Sequence, residues 1–128
     1  MALAIAPAGK VERDIGAHFG VGRPEMMGIS SLTLLERVVG LLAAAALQPH
    51  NVDATLIAEA PKLGSLIPGM RANLANVLGL PETQVNVKGT TAKGLGWLGA
   101  GEGIACLAVA TVTARRRGPV RRQTSRRR

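Results

Sequence analysis

The sequence predicts an α/β fold, a mixed sheet with helices on one face, and three observations carry that expectation. Two segments show helical recurrence of apolar residues, with stop signals after each. Two others alternate apolar and polar residues with the period of a strand exposed on one face. A last apolar run, residues 104–112, is bounded by glycine and arginine and is too short for a long helix, so it reads as a more deeply buried strand.

In chain order, residues 1–13 contain Pro7 and Gly9, which argue against a long regular element. The segment from Asp14 to Pro24 is glycine-rich and reads as a loop, with Asp14 a natural turn or cap residue. From Ser30 or Ser31, both good N-caps, Leu32, Leu35, Val38, Val39, Leu42 and Ala46 recur at helical spacing to about Leu47, and Pro49 stops the helix. Thr33 and Glu36 offer an alternative start as a capping box. Val52, Ala54, Leu56 and Ala58 alternate with Asp53, Thr55 and Ile57, which gives a strand ending at Glu59. A second helix is expected from about Ser65 to Leu78, with Pro68 tolerated in its first turn, Gly79 as its stop and Arg71 on its solvated face. Pro81 turns the chain into a strand over residues 84–91, where Val85, Val87 and Gly89 face one way and Asn86, Lys88 and Thr90 the other. Glycines at 94, 96, 99, 101 and 103 then form a loop able to bring backbone N–H groups close to an anion, a weak signal by itself.

The chain has 128 residues, which bounds it to one small domain, and one Trp, one Phe and no Tyr make its core aliphatic. The formal charge of +8 is localised: eight arginines lie at or beyond residue 115, and residues 1–114 carry eight basic and eight acidic side chains. The basic stretch is therefore a candidate contact for nucleic acid or another anionic surface, and the body of the chain is not. A single cysteine, Cys106, excludes an internal disulfide, and its apolar setting predicts a buried structural thiol. No apolar run approaches the roughly 20 residues of a membrane span, and no signal peptide is read at the N-terminus.

Several short motifs occur in a fixed order: DIG at 14–16, NVDAT at 51–55, EAPKL at 59–63, IP at 67–68 with Met70 and Arg71, NVKGTTAK at 86–93 and GAGEGIA at 99–105. Together they resemble the 2-C-methyl-D-erythritol 2,4-cyclodiphosphate synthase family over about residues 14–113. That resemblance implies an α+β, ferredoxin-like domain in a homotrimer, with residues 99–103 near the threefold axis. It implies a phosphorus–oxygen lyase of isoprenoid biosynthesis that closes 4-diphosphocytidyl-2-C-methyl-D-erythritol 2-phosphate into the cyclodiphosphate and releases CMP. The implied substrate contacts are Asp14, Gly16, Ala58, Ala60, Pro61, Lys62, Leu63, Thr90, Thr91, Trp97 and Glu102, with Thr91 also assigned a catalytic role. Trp97 stands where the family has a Phe, and Glu102 is retained.

The resemblance also implies two divalent cations, zinc and magnesium, whose ligands are not found in this sequence. Its two histidines, His18 and His50, lack the spacing of a zinc site. The carboxylate expected after the threonines is Lys93, and the arginine of the family's GRGEG turn is Ala100. The first strands of the family, with their Asp-x-His pair, have no counterpart, so the fold is expected to be incomplete at its N-terminus. The expected organisation is a substitute segment at 1–13, a synthase-like domain at 14–114 and a disordered arginine-rich tail at 115–128. Turnover by this chain is expected to be very slow or absent, even with zinc and magnesium supplied, with cytoplasmic location favoured over a plastid. The alternative reading is a catalytically impaired trimer that binds cytidine nucleotides.

Overall fold

A computed structural model describes residues 14–20 and 22–115. The arginine-rich stretch beyond 115 and the segment 1–13 lie outside the described residues, as do the expectations attached to them. Arg115 itself is tied down, its N–H donating to the Ala46 carbonyl at 2.8 Å.

The first element differs from the expected loop. Asp14 caps a one-turn helix, α1 (Ile15–Phe19), its Oδ1 accepting the Ala17 N–H at 2.8 Å. A 3-10 turn follows at Pro24–Met26. Ser30 then caps α2 (Ser31–Ala44), and its hydroxyl accepts the Leu32 N–H, so the Thr33–Glu36 capping box is not the start. Leu35, Val38 and Leu42 are the buried stripe of α2. The helix ends earlier than Pro49 demands, because Ala46 turns the chain at φ 58 and β1 (Leu47–Ile57) begins at once. Pro49 sits inside β1, next to an irregularity in the pairing with β3, where β1 has no partner yet on its other side. That is a position at which a missing N–H costs little.

The next helix, α3 (Ile67–Leu78), carries a Pro in its first turn and ends at Gly79 in the left-handed conformation. A 3-10 turn at Glu82–Gln84 leads into β2 (Val85–Thr90). Arg71 corrects the expectation of a solvated side chain: it is half-buried, and its guanidinium donates to the Val85 carbonyl at 3.0 Å and the Glu82 carbonyl at 2.9 Å. It thereby stitches α3 to the start of β2. A short helix, α4 (Gly96–Gly99), and β3 (Ala105–Ala114) complete the order.

The sheet order is β2-β1-β3, with β1–β2 parallel and β1–β3 antiparallel. Ala54, Val85 and Val87 face α3, where Ala75 completes the buried cluster and Leu56, Ile67, Met70, Leu74 and Leu80 surround it. Val85, 1% exposed, is its most enclosed member. Both long helices pack over β1 and β2, and neither makes substantial contact with β3. The strand expected to be the most buried is consequently exposed along most of its length, Leu107 and Val109 at 68% and 69%. For the same reason Cys106 is an exposed thiol and not a buried one.

On the face away from the helices Asp53 of β1 receives two cross-strand donors from β2, Asn86 Nδ2 at 2.7 Å and Lys88 Nζ at 2.6 Å. These bonds, that from Lys88 first, hold the Asp53 carboxyl below its ordinary value of 3.8. A depressed carboxyl contributes stability above its unfolded pKa and loses it as pH falls through the folded one. Acid titration of Asp53→Asn, followed by circular dichroism, should therefore show a shallower loss of stability below about pH 4 than the unsubstituted chain. Arg71→Ala removes the charged donors to the Val85 and Glu82 carbonyls, the latter keeping the Val85 N–H, so chemical denaturation should register a loss of about 1–3 kcal/mol.

Candidate active site at the carboxyl ends of the parallel strands

Because β1 and β2 run parallel, the loops that follow them leave the sheet at the same edge, the usual place for ligands in sheets of this kind. The Ala58 N–H extends the pairing by one more bond, donating to the Thr90 carbonyl at 3.0 Å, and Ala58 is buried. The first loop then exposes Ala60, Pro61 and Lys62, with a cis bond between Ala60 and Pro61. Leu63 is half-buried, and its carbonyl accepts the N–H groups of Leu66 and Ile67, which anchors the loop to α3. Its side chain lies over Gly89, where an added Cβ would come within 3.1 Å of Leu63 Cδ1.

The second loop is fixed by its own hydroxyls. Thr90 Oγ1 donates to the Thr91 carbonyl at 3.4 Å, and Thr91 Oγ1 accepts the Lys93 N–H at 3.2 Å. Lys93 and Gly94 both take left-handed backbone, φ 56 and 76. The Gly94 N–H donates to Glu59 Oε1 at 3.3 Å, a link between loops 35 residues apart in the chain. Sequence reasoning did not assign Glu59 a role; its position between Ala58 and Ala60 was the available signal. Further along, the Gly99 backbone packs against that of Gly94, and an added Cβ at Gly99 would fall 2.2 Å from the Gly94 carbonyl carbon. Trp97 is 57% exposed, covers Gly103, and accepts the Glu102 N–H on its carbonyl.

Ala58, Ala60, Pro61, Lys62, Leu63, Thr90 and Thr91 therefore belong to two adjoining loops, and Trp97 and Glu102 close the far turn of the second. Asp14 and Gly16 belong to α1, Asp14 capping its start and the Gly16 carbonyl accepting the Gly20 N–H at its end. His18 lies on α1 beside Phe19, their rings 6.4 Å apart. His50 is at the opposite end of β1, about 25 Å of strand from Ala58. Among the described residues no group of three or more His, Cys, Asp or Glu is placed to hold a metal ion.

Comparison with known proteins gives the chain's family. The model of the YgbB family matches residues 2–113. The chain belongs to the YgbB family. It is 46% identical over 102 residues to the 2-C-methyl-D-erythritol 2,4-cyclodiphosphate synthase of Symbiobacterium thermophilum, covering 80% of this chain and 65% of that protein. Among solved structures it resembles the bifunctional IspDF of Campylobacter jejuni, with TM-score 0.74, 30% identity, and coverage of 79% of this chain and 27% of that one. It also resembles the CDP complex of Plasmodium falciparum IspF, with TM-score 0.69, 29% identity, and coverage of 81% and 62%. The chain thus spans less than two thirds of the length of these relatives. The YgbB match and the mixed sheet agree with the family and α/β class expected from the motifs.

The contact between Gly94 and Gly99 makes the second loop intolerant of side chains at its fold-back point. Gly99→Ala should displace residues 91–99, read as loss of the near-ultraviolet signal of Trp97, with far-ultraviolet helix content retained because α2 and α3 are untouched.

Proposed function

We propose that this YgbB-family chain acts as a cyclodiphosphate synthase of the methylerythritol phosphate pathway, taking 4-diphosphocytidyl-2-C-methyl-D-erythritol 2-phosphate to 2-C-methyl-D-erythritol 2,4-cyclodiphosphate and CMP. The observation that carries the reading is the pair of loops at residues 58–63 and 90–102, held together by Glu59 and Gly94 at the ligand edge of a YgbB-family sheet. In this reading backbone groups of residues 58–63 hold the cytosine ring, Thr90 and Thr91 face the diphosphate, and Trp97 walls the site. Thr91 orients the phosphates through its hydroxyl. Asp14 and Gly16 meet the erythritol phosphate end.

A homotrimer is proposed with the same assignment. The sheet face opposite the helices presents Leu107, Val109 and Ile57 beside the polar rung of Asp53, Asn86 and Lys88, an apolar and hydrogen-bonding surface of the kind copies of a chain bury against one another. A cytoplasmic setting is proposed with it; among the described residues no helix is long and apolar enough to cross a membrane. Contact with nucleic acid is proposed only for the arginines at and beyond residue 115.

The described residues do not fit a zinc or magnesium centre, since they assemble no ligand cluster and Lys93 has donors but no lone pair to offer a cation. What the chain's own groups provide is positioning: two loops fixed to each other, hydroxyls at the second, and ammonium groups on both. The other reading, a trimer that binds cytidine nucleotides without turnover, gains nothing from the relatives, which bear the names of synthases.

Calorimetric titration with CDP and an assay of CMP release from the substrate test the proposal together. Micromolar CDP binding is expected, with CMP released about 100-fold or more slowly than by a full-length relative. Absence of CMP release would overturn it: CDP binding without release leaves the non-catalytic reading, and loss of both removes the nucleotide site as well.

A further inference from the structure

We propose that Lys93 supplies, from within the chain, the positive charge that neutralises the diphosphate of a bound cytidine nucleotide, so that nucleotide binding at the β2 turn proceeds without a divalent cation. The inference rests on the cytidine-nucleotide reading above and adds to it the source of the charge.

Four observations converge on this side chain. Lys93 follows Thr91 by two residues at the carboxyl end of β2, in the turn that Glu59 ties to the facing loop. Its backbone is left-handed at φ 56, a conformation disfavoured by a Cβ, and it is pinned on both sides: its own N–H on Thr91 Oγ1 and the next N–H on Glu59 Oε1. The ammonium's point of departure from the chain is thus fixed by bonds from two different strands' loops. A residue held in a disfavoured conformation at a loop tip directs its side chain at some cost to the fold.

The charge is also uncommitted. Lys88, on the same strand, is matched by the Asp53 carboxylate, whereas among the described residues Lys93 has no ion-pair partner. The nearby carboxylate, Glu59, is engaged with the Gly94 N–H. Lys62 is a second exposed lysine, on the facing loop. Finally, no carboxylate or imidazole cluster among the described residues offers a divalent ion a competing seat there. An ammonium donates charge-assisted hydrogen bonds to phosphate oxygens and has no means of ligating a metal, so this turn suits the anion and not the cation.

The test is calorimetric titration of the full chain and its Lys93→Ala, Lys93→Arg and Lys93→Glu variants with CDP and with cytidine, each in EDTA and in magnesium. The unsubstituted chain should bind CDP equally well, within about twofold, in either medium. Lys93→Ala should weaken CDP about tenfold or more (~1.4 kcal/mol) and leave cytidine unchanged, while Lys93→Arg keeps most of the affinity. Lys93→Glu should bind CDP poorly in EDTA and recover with magnesium. CDP affinity that requires magnesium in the unsubstituted chain, or that ignores Lys93→Ala, overturns the proposal and leaves the nucleotide site standing. Failure of both CDP and cytidine to bind overturns the nucleotide reading and this inference with it.

Discussion

The parallel pairing of β1 with β2, Val52 opposite Val85 through Ile57 opposite Thr90, is the constraint on which the rest of this structure depends. One register settles two things together. It turns Ala54, Val85 and Val87 toward α3, where burying each valine contributes about 2 kcal/mol. It also delivers both following loops to one edge, with the Ala58 to Thr90 bond as the last rung before they diverge. A slip by one residue would reverse the faces and part the loops, so core and site stand or fall on the same hydrogen bonds.

The two faces of that sheet are managed differently. Toward the helices the chain is aliphatic and, over β1 and β2, well covered. Away from them a polar rung on β1 and β2 runs into apolar side chains on β3, all of them open in the single chain. β3 contributes backbone pairing to β1 from Leu47 to Ile57, but little burial of its own. Its side chains acquire a physical purpose only if something covers them, which is why the exposed Leu107 and Val109 bear on assembly more than on the fold.

The site is built mainly from backbone, with few side chains in fixed charge relationships. Glycines close the second loop by contact, at Gly94 against Gly99 and at Gly103 beneath Trp97, and the Thr90 and Thr91 hydroxyls brace the turn, Thr91 as an acceptor that keeps its own O–H to donate. Such a loop is closed by its own contacts, and among the described residues the Glu59 carboxylate is the side-chain hydrogen bond that ties it to the first loop. A loop closed in this way suits the orienting role proposed for it.

By itself the sequence determined the parts whose signals are local. The apolar stripe of α2, the glycine stop of α3, the alternation of Val85 and Val87 and the strand character of residues 105–112 were all legible, because period and caps act within one element. The order of short motifs was enough to indicate the family, and nine of the eleven positions they named fall in the two adjoining loops at residues 58–63 and 90–102. What only the tertiary structure decided is which faces meet. Arg71 has the spacing of a solvated residue yet reaches carbonyls 11 and 14 residues away, and Glu59 finds a partner 35 residues on. β3 and Cys106 have the composition of a core yet lie outside the reach of both helices. Burial is a property of neighbours, and a strand's own residues carry no record of whether a helix will be long enough, or placed closely enough, to cover it.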